Sequence, residues 1–151
     1  LDGGALSAGL IADGIHVDPA VMGIALRAKR GPARIFLVTD AMATIGTAMT
    51  SFTLNGRTVH RRDGRLTLAD GTLAGADLDM ISAVRFVHRR IGLDLGEALR
   101  MASAYPAQAV GQAHRIGRLA KGMAANIVAL GRGLDMAGVW IDGEKVFTAP
   151  N

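Results

Sequence analysis

Two carboxylates and one imidazole stand where this sequence could do chemistry. Asp13 and His16 bracket Gly14-Ile15 just after the apolar run Gly9-Leu10-Ile11-Ala12. Asp40 follows Thr39 at the abrupt end of a second apolar run, Ile35-Phe36-Leu37-Val38. In a (β/α)-barrel the C-terminal ends of the strands form the active-site mouth, which would bring His16 and Asp40 to one pocket. A carboxylate leaving an apolar strand there can take a proton from water as a general base or ligate a metal. The bland alternative is a turn or a cap, because Asp is common at turns. His16 can titrate or ligate, although a lone His is more often a hydrogen-bonded structural residue. A third candidate is Leu73-Ala74-Gly75, which reads either as a loop showing backbone groups to a ligand or as a tight turn.

No complete metal motif is present. The sequence has no cysteine, no His-x-His pair and no His-Glu-x-x-His. A catalytic zinc takes three protein ligands plus water, a set that Asp40 and His16 alone do not supply. His60, His88 and His114 sit among basic or polar neighbours and are expected at the surface. Met42, Met49 and Met101 are expected to pack.

The elements that must position these residues follow from hydrophobic period. The two apolar runs read as buried strands, covered on both faces and therefore parallel. Between them, Pro19 opens a helix whose apolar positions include Val21, Met22, Ala25 and Leu26, and Gly31-Pro32 stops it. From Ser51 to Leu68 the pattern changes to short segments separated by Asn55-Gly56 and Asp63-Gly64, both hairpin-turn dipeptides. A small antiparallel insertion over about 51–68 is expected. A helix is predicted from about Leu78 to Ile91 with Asp77 as its N-cap. Another begins after Asp94 with Glu97 in a capping-box position, and Pro106 opens a short third that closes at Gly111. The C-terminal part reads as strands: Asn126–Leu130, then Val139–Ile141 and Lys145–Phe147 around the turn Asp142-Gly143.

Composition bounds the function classes. With half of 151 residues hydrophobic and only 4% aromatic, a sizeable aliphatic core can be buried. Seventeen basic against thirteen acidic residues give a net charge of +4. The paired bases Lys29-Arg30, Arg61-Arg62 and Arg89-Arg90 read as solvated surface. They carry no interleaved aromatics, so nucleic acid is not an expected partner, whereas an anionic small substrate suits the balance. No apolar run spans a membrane. The absence of cysteine fits a reducing compartment such as the cytoplasm.

Four segments together resemble the N-acetylglucosamine-6-phosphate deacetylases of the amidohydrolase superfamily: Ile11–Asp18, Leu37–Met42, Leu68–Gly75 and Glu97–Ala107. The closing segment Gly117–Val128 resembles the end of amidohydrolases in general, and the order matches over nearly the whole chain. The resemblance implies an α/β fold: the C-terminal part of a (β/α)8 TIM-like barrel in residues 1–116, and strands of a small β-sandwich in residues 117–151. It implies that Asp40 is the catalytic general base and acid, and a possible additional metal ligand. Asp13, Gly14, Ile15 and His16 would bind substrate in one loop, and Leu73, Ala74 and Gly75 would contact the sugar phosphate. It also implies a divalent metal, zinc or else iron, held by a Glu and two His that have no counterpart in this chain. The partners implied are an amino-sugar phosphate, the N-terminal part of the barrel and a second subunit of a homodimer. Ala125-Asn126 departs from the Ala-Asp common at that position, a difference that touches folding more than catalysis.

Two functions follow as expectations. One is removal of acetate from N-acetylglucosamine 6-phosphate, with a cyclic ureide or an N-acyl amino acid as the competing amide substrates. The other is a non-catalytic fragment or half of a split assembly, which binds no stoichiometric zinc and is inactive alone.

Overall fold

The two apolar runs form strands β1 (Ala8–Ile11) and β2 (Ile35–Val38), paired in parallel with Leu10 opposite Leu37 and Ile11 opposite Val38. The computed structural model describes residues 4–149. Helix α1 (Pro19–Ala28) makes the crossover. The Asp18 carboxylate accepts the Ala20 N–H at 2.8 Å, and Pro19, which has no N–H to satisfy, occupies the first turn. Met22 on its inner face is fully buried against the strands.

The antiparallel expectation holds but extends further along the chain. Strands β3 (Ser51–Leu54), β4 (Arg57–Arg62), β5 (Arg65–Thr67) and β6 (Leu73–Ala76) form one four-stranded sheet in sequence order. Asn55-Gly56 and Asp63-Gly64 make the first two turns, all four residues at positive φ as such hairpins require. Leu73-Ala74-Gly75 is therefore a strand and not a free loop. The turn before it is closed by Leu68 N–H donating to the Thr72 carbonyl at 2.9 Å and by Thr72 N–H donating to the Asp70 carboxylate at 2.9 Å.

Helices α2 (Met80–Arg89), α3 (Leu95–Ala102) and α4 (Ala104–Ala109) then return to cover β2. The N-cap of α2 is Asp79 instead of Asp77, its carboxylate accepting the Ser82 N–H at 2.6 Å. Asp94 caps α3 as expected, by accepting the Glu97 N–H at 3.2 Å. Pro106 lies at the third residue of α4 rather than at its start, still within the turn where a missing N–H costs nothing. His88 is not a loose surface residue: its Nδ1 lies 2.8 Å from the Leu93 carbonyl, at the end of α2. His60 and His114 are exposed.

Strands β7 (Ile127–Leu130), β8 (Met136–Ile141) and β9 (Glu144–Thr148) form a separate antiparallel sheet. Its 131–135 turn is latched to α2. Arg85 donates to the Leu134 carbonyl at 2.7 Å and to Asp135 at 3.0 Å, Arg89 donates to the Gly133 carbonyl at 2.7 Å, and Leu134 is buried. Among the described residues no helix is long and apolar enough to cross a membrane.

Candidate functional site

Parallel register decides where the candidates emerge. Ile11 is opposite Val38, and Asp13 and Asp40 each lie two residues beyond that pair, so both leave the sheet at its C-terminal edge. Past the strand the backbone of residues 13–17 makes a run of bends with no ladder of its own. The Asp13 side chain supplies the missing order. Its Oδ1 accepts the N–H groups of Ile15 at 2.8 Å and His16 at 3.0 Å, and its Oδ2 lies 2.6 Å from His16 Nδ1. Burial works to raise the Asp13 pKa, but the backbone donors of His16 and Ile15 and the imidazole together outweigh it. The carboxyl is held below its ordinary value of 3.8. Gly14 has φ +74°, and a Cβ there would stand 2.9 Å from the Phe86 ring of α2. Glycine is thus required twice over, by backbone conformation and by close packing.

Asp40 has φ +52°, in the left-handed region where Asp is among the few side chains tolerated. Its residue is exposed, and among the described residues no hydrogen bond or ion pair is formed by its carboxylate. Its backbone, by contrast, is held. The Ala76 N–H donates to the Asp40 carbonyl at 2.9 Å, and Ala41 and Ala76 form a parallel bridge. Gly75, at φ +104°, lets β6 come this close, since a Cβ there would meet Met42 Cγ at 2.6 Å and the Asp40 carbonyl oxygen at 3.2 Å. The structure thus brings Gly75 against Asp40, with Ala74 beside it in the strand. Leu73 lies at the far end of β6, paired with Thr67 and exposed. His16 and Asp40 are not hydrogen-bonded to each other.

Arg61 carries a role that sequence reading missed. Taken as half of a solvated pair, it instead turns inward from β4. Its Nε donates to Asp77 at 2.7 Å, and its Nη1 donates to the carbonyls of Thr47 at 2.8 Å and Thr44 at 3.3 Å. It thereby ties the segment that follows Asp40 to the segment that follows β6. The signal was available: alternation along β4 puts Arg61 on the same face as the buried Val59.

A bare carboxylate on a backbone fixed at the mouth of a parallel pair is suited to accept a proton from water and pass it on. An imidazole anchored through one ring nitrogen presents the other. The described residues do not fit a complete metal centre, because no group of three or more His, Asp or Glu side chains converges among them.

The chain is 39% identical over 135 residues to a protein of Escherichia coli O157:H7 named N-acetylgalactosamine-6-phosphate deacetylase, covering 89% of this chain and 35% of that one. It is 34% identical over 140 residues to the N-acetylglucosamine-6-phosphate deacetylase of Vibrio furnissii, covering 93% and 35%. The crystal structure of N-acetylglucosamine-6-phosphate deacetylase from Pasteurella multocida superposes with a TM-score of 0.86 at 36% identity, over 91% of this chain and 36% of that one. The chain thus spans about a third of these three proteins, although it covers 80% of a shorter Escherichia coli K12 relative. The amidohydrolase family profile matches residues 7–146, nearly the whole length, and the chain belongs to the amidohydrolase family.

Proposed function

We propose that this chain is the C-terminal portion of a deacetylase that hydrolyses the acetamide of N-acetylglucosamine 6-phosphate to glucosamine 6-phosphate and acetate. The observation that carries the reading is Asp40, an unpaired carboxylate whose backbone is clamped by Ala76 and Gly75 at the C-terminal edge of β1 and β2. Asp40 takes a proton from the attacking water and later delivers one to the leaving amine. A single carboxylate serves both steps because they are sequential. The loop from Asp13 to His16 binds the substrate, and Leu73, Ala74 and Gly75 border the sugar phosphate. In the same reading β1 and β2 are the last two strands of a (β/α)8 barrel, and the sheet of β7, β8 and β9 belongs to a small β-sandwich.

Membership in the amidohydrolase family implies a divalent metal; zinc is the first choice in this proposal, with iron the alternative. It would be held mainly by side chains other than those described here. The working assembly is a homodimer in the cytoplasm.

A second reading has a specific observation behind it. The Escherichia coli O157:H7 relative is named for the galactosamine epimer, so N-acetylgalactosamine 6-phosphate is the competing substrate. Acetate release from both epimers, beside a cyclic ureide and an N-acyl amino acid, tests the proposal on the polypeptide that carries this chain. The expected result is turnover of an N-acetylhexosamine 6-phosphate, with Asp40→Asn lowering kcat by about 10²- to 10⁴-fold and changing KM far less. Faster turnover of the ureide, or full activity in Asp40→Asn, would remove the proposal.

A further inference from the structure

The Asp13 carboxylate is more deeply buried than the ring it touches, with side-chain exposures of 7% for Asp13 and 18% for His16. Both oxygens are engaged within the loop, Oδ1 by two backbone N–H groups and Oδ2 by His16 Nδ1 at 2.6 Å. An ionised carboxylate has no proton to donate. The depressed pKa keeps Asp13 ionised, so the proton in that short contact belongs to Nδ1. In water a neutral imidazole favours the opposite tautomer, with the proton on Nε2. Gly14, pressed on Phe86, fixes the same loop from its other side.

We propose that Asp13 serves this loop as a positioning residue: it locks His16 as the Nδ1–H form, with its ring rotation set, and so makes Nε2 the atom offered to the amino-sugar phosphate. The identity of that ligand rests on the deacetylase reading; the lock itself does not. The hydrogen bond made by one ring nitrogen sets what the other can do; for metal-bound histidines, loss of such a partner typically costs about 10- to 100-fold, and a change of similar size is expected at His16. Asp13→Asn is the informative variant. Its amide oxygen can keep the two backbone N–H groups, which leaves its NH2 facing the ring. That donor requires Nδ1 to accept, and it therefore drives the proton to Nε2.

The ring nitrogens are read by long-range ¹H–¹⁵N correlation on the ¹⁵N-labelled chain, at a pH alkaline enough to make imidazoles neutral, with His16→Gln to assign the signals. The expected result is a protonated Nδ1 and an unprotonated Nε2 in the wild type, reversed in Asp13→Asn. A wild-type His16 protonated on Nε2 overturns the proposal, as does an unchanged tautomer in the variant. If Asp13→Asn does not fold, the wild-type spectrum still decides. In the catalytically competent polypeptide, Asp13→Asn should raise KM for the sugar phosphate by about 10-fold or more while kcat falls less. A fall in kcat at unchanged KM would overturn the link from the ring to substrate binding. The tautomer is observed without turnover, so failure of the deacetylase reading and failure of the lock are told apart.

Discussion

At the scale of single residues, the site depends on groups that look unremarkable in the sequence. Gly75 is the sharpest case. Gly75→Ala adds a methyl that would lie 2.6 Å from Met42 Cγ, on a backbone at φ +104° that L side chains rarely adopt. The expected cost is about 1–3 kcal/mol from overpacking, seen as a lower urea midpoint, together with a fall in kcat under the role proposed for Asp40. Unchanged stability would mean that Met42 gives way and that Asp40 is positioned otherwise. Asp13 predicts a pH dependence. Its folded pKa lies below 3.8, so its contribution to stability is fully present above that value and is lost as pH falls through the depressed folded pKa. The stability difference between wild type and Asp13→Asn should be flat above about pH 5 and shrink toward zero in stronger acid. A difference that grows on acidification would contradict the carboxylate's role.

At the scale of elements, Arg61 joins three segments. Asp77 is 9% exposed and Arg61 30%, so removing the guanidinium strands a largely buried carboxylate and frees two carbonyls. Arg61→Ala should cost roughly 3 kcal/mol and speed amide exchange in residues 41–50 before it affects the helices. Uniform acceleration across the whole molecule would show instead that these segments do not open as a unit. The elements themselves were largely legible in the sequence. Hydrophobic period located β1, β2 and α1, and the Asn-Gly and Asp-Gly turns located the hairpins, because local chemistry decides those features. What was not legible is tertiary. Leu73-Ala74-Gly75 carries no strand signal; it becomes β6 because it has partners in Arg65 and Thr67 on one side and Ala41 on the other. Of the site, Asp13, His16 and Asp40 were visible as polar residues ending apolar runs. The left-handed backbone of Asp40 and the inward turn of Arg61 required the neighbours to be in place.

At the scale of the whole molecule, β1 pairs with β2 alone among the described residues, and its other edge has no strand beside it. Val128, Ile141 and Val146 of the C-terminal sheet are more than half exposed. Open edges and apolar faces invite pairing with another chain, and a net charge of +4 opposes it only weakly. Light scattering of the isolated chain at micromolar concentration should therefore report a mass above 15.7 kDa. A clean monomer would indicate that these surfaces are masked in solution.

The helices that shelter β2 come late. Residues 39–79, 41 in number, lie between the end of β2 and the start of α2. A ribosome adding about 5–20 residues per second needs roughly 2–8 s to cross that interval. The same interval separates the emergence of Ile35 and Leu37 from the exit tunnel and the emergence of the helices that will cover them. The growing polypeptide thus passes through a stage in which its most apolar strands are available to holdase chaperones, and slow codons read after those strands have left the tunnel would prolong that exposure.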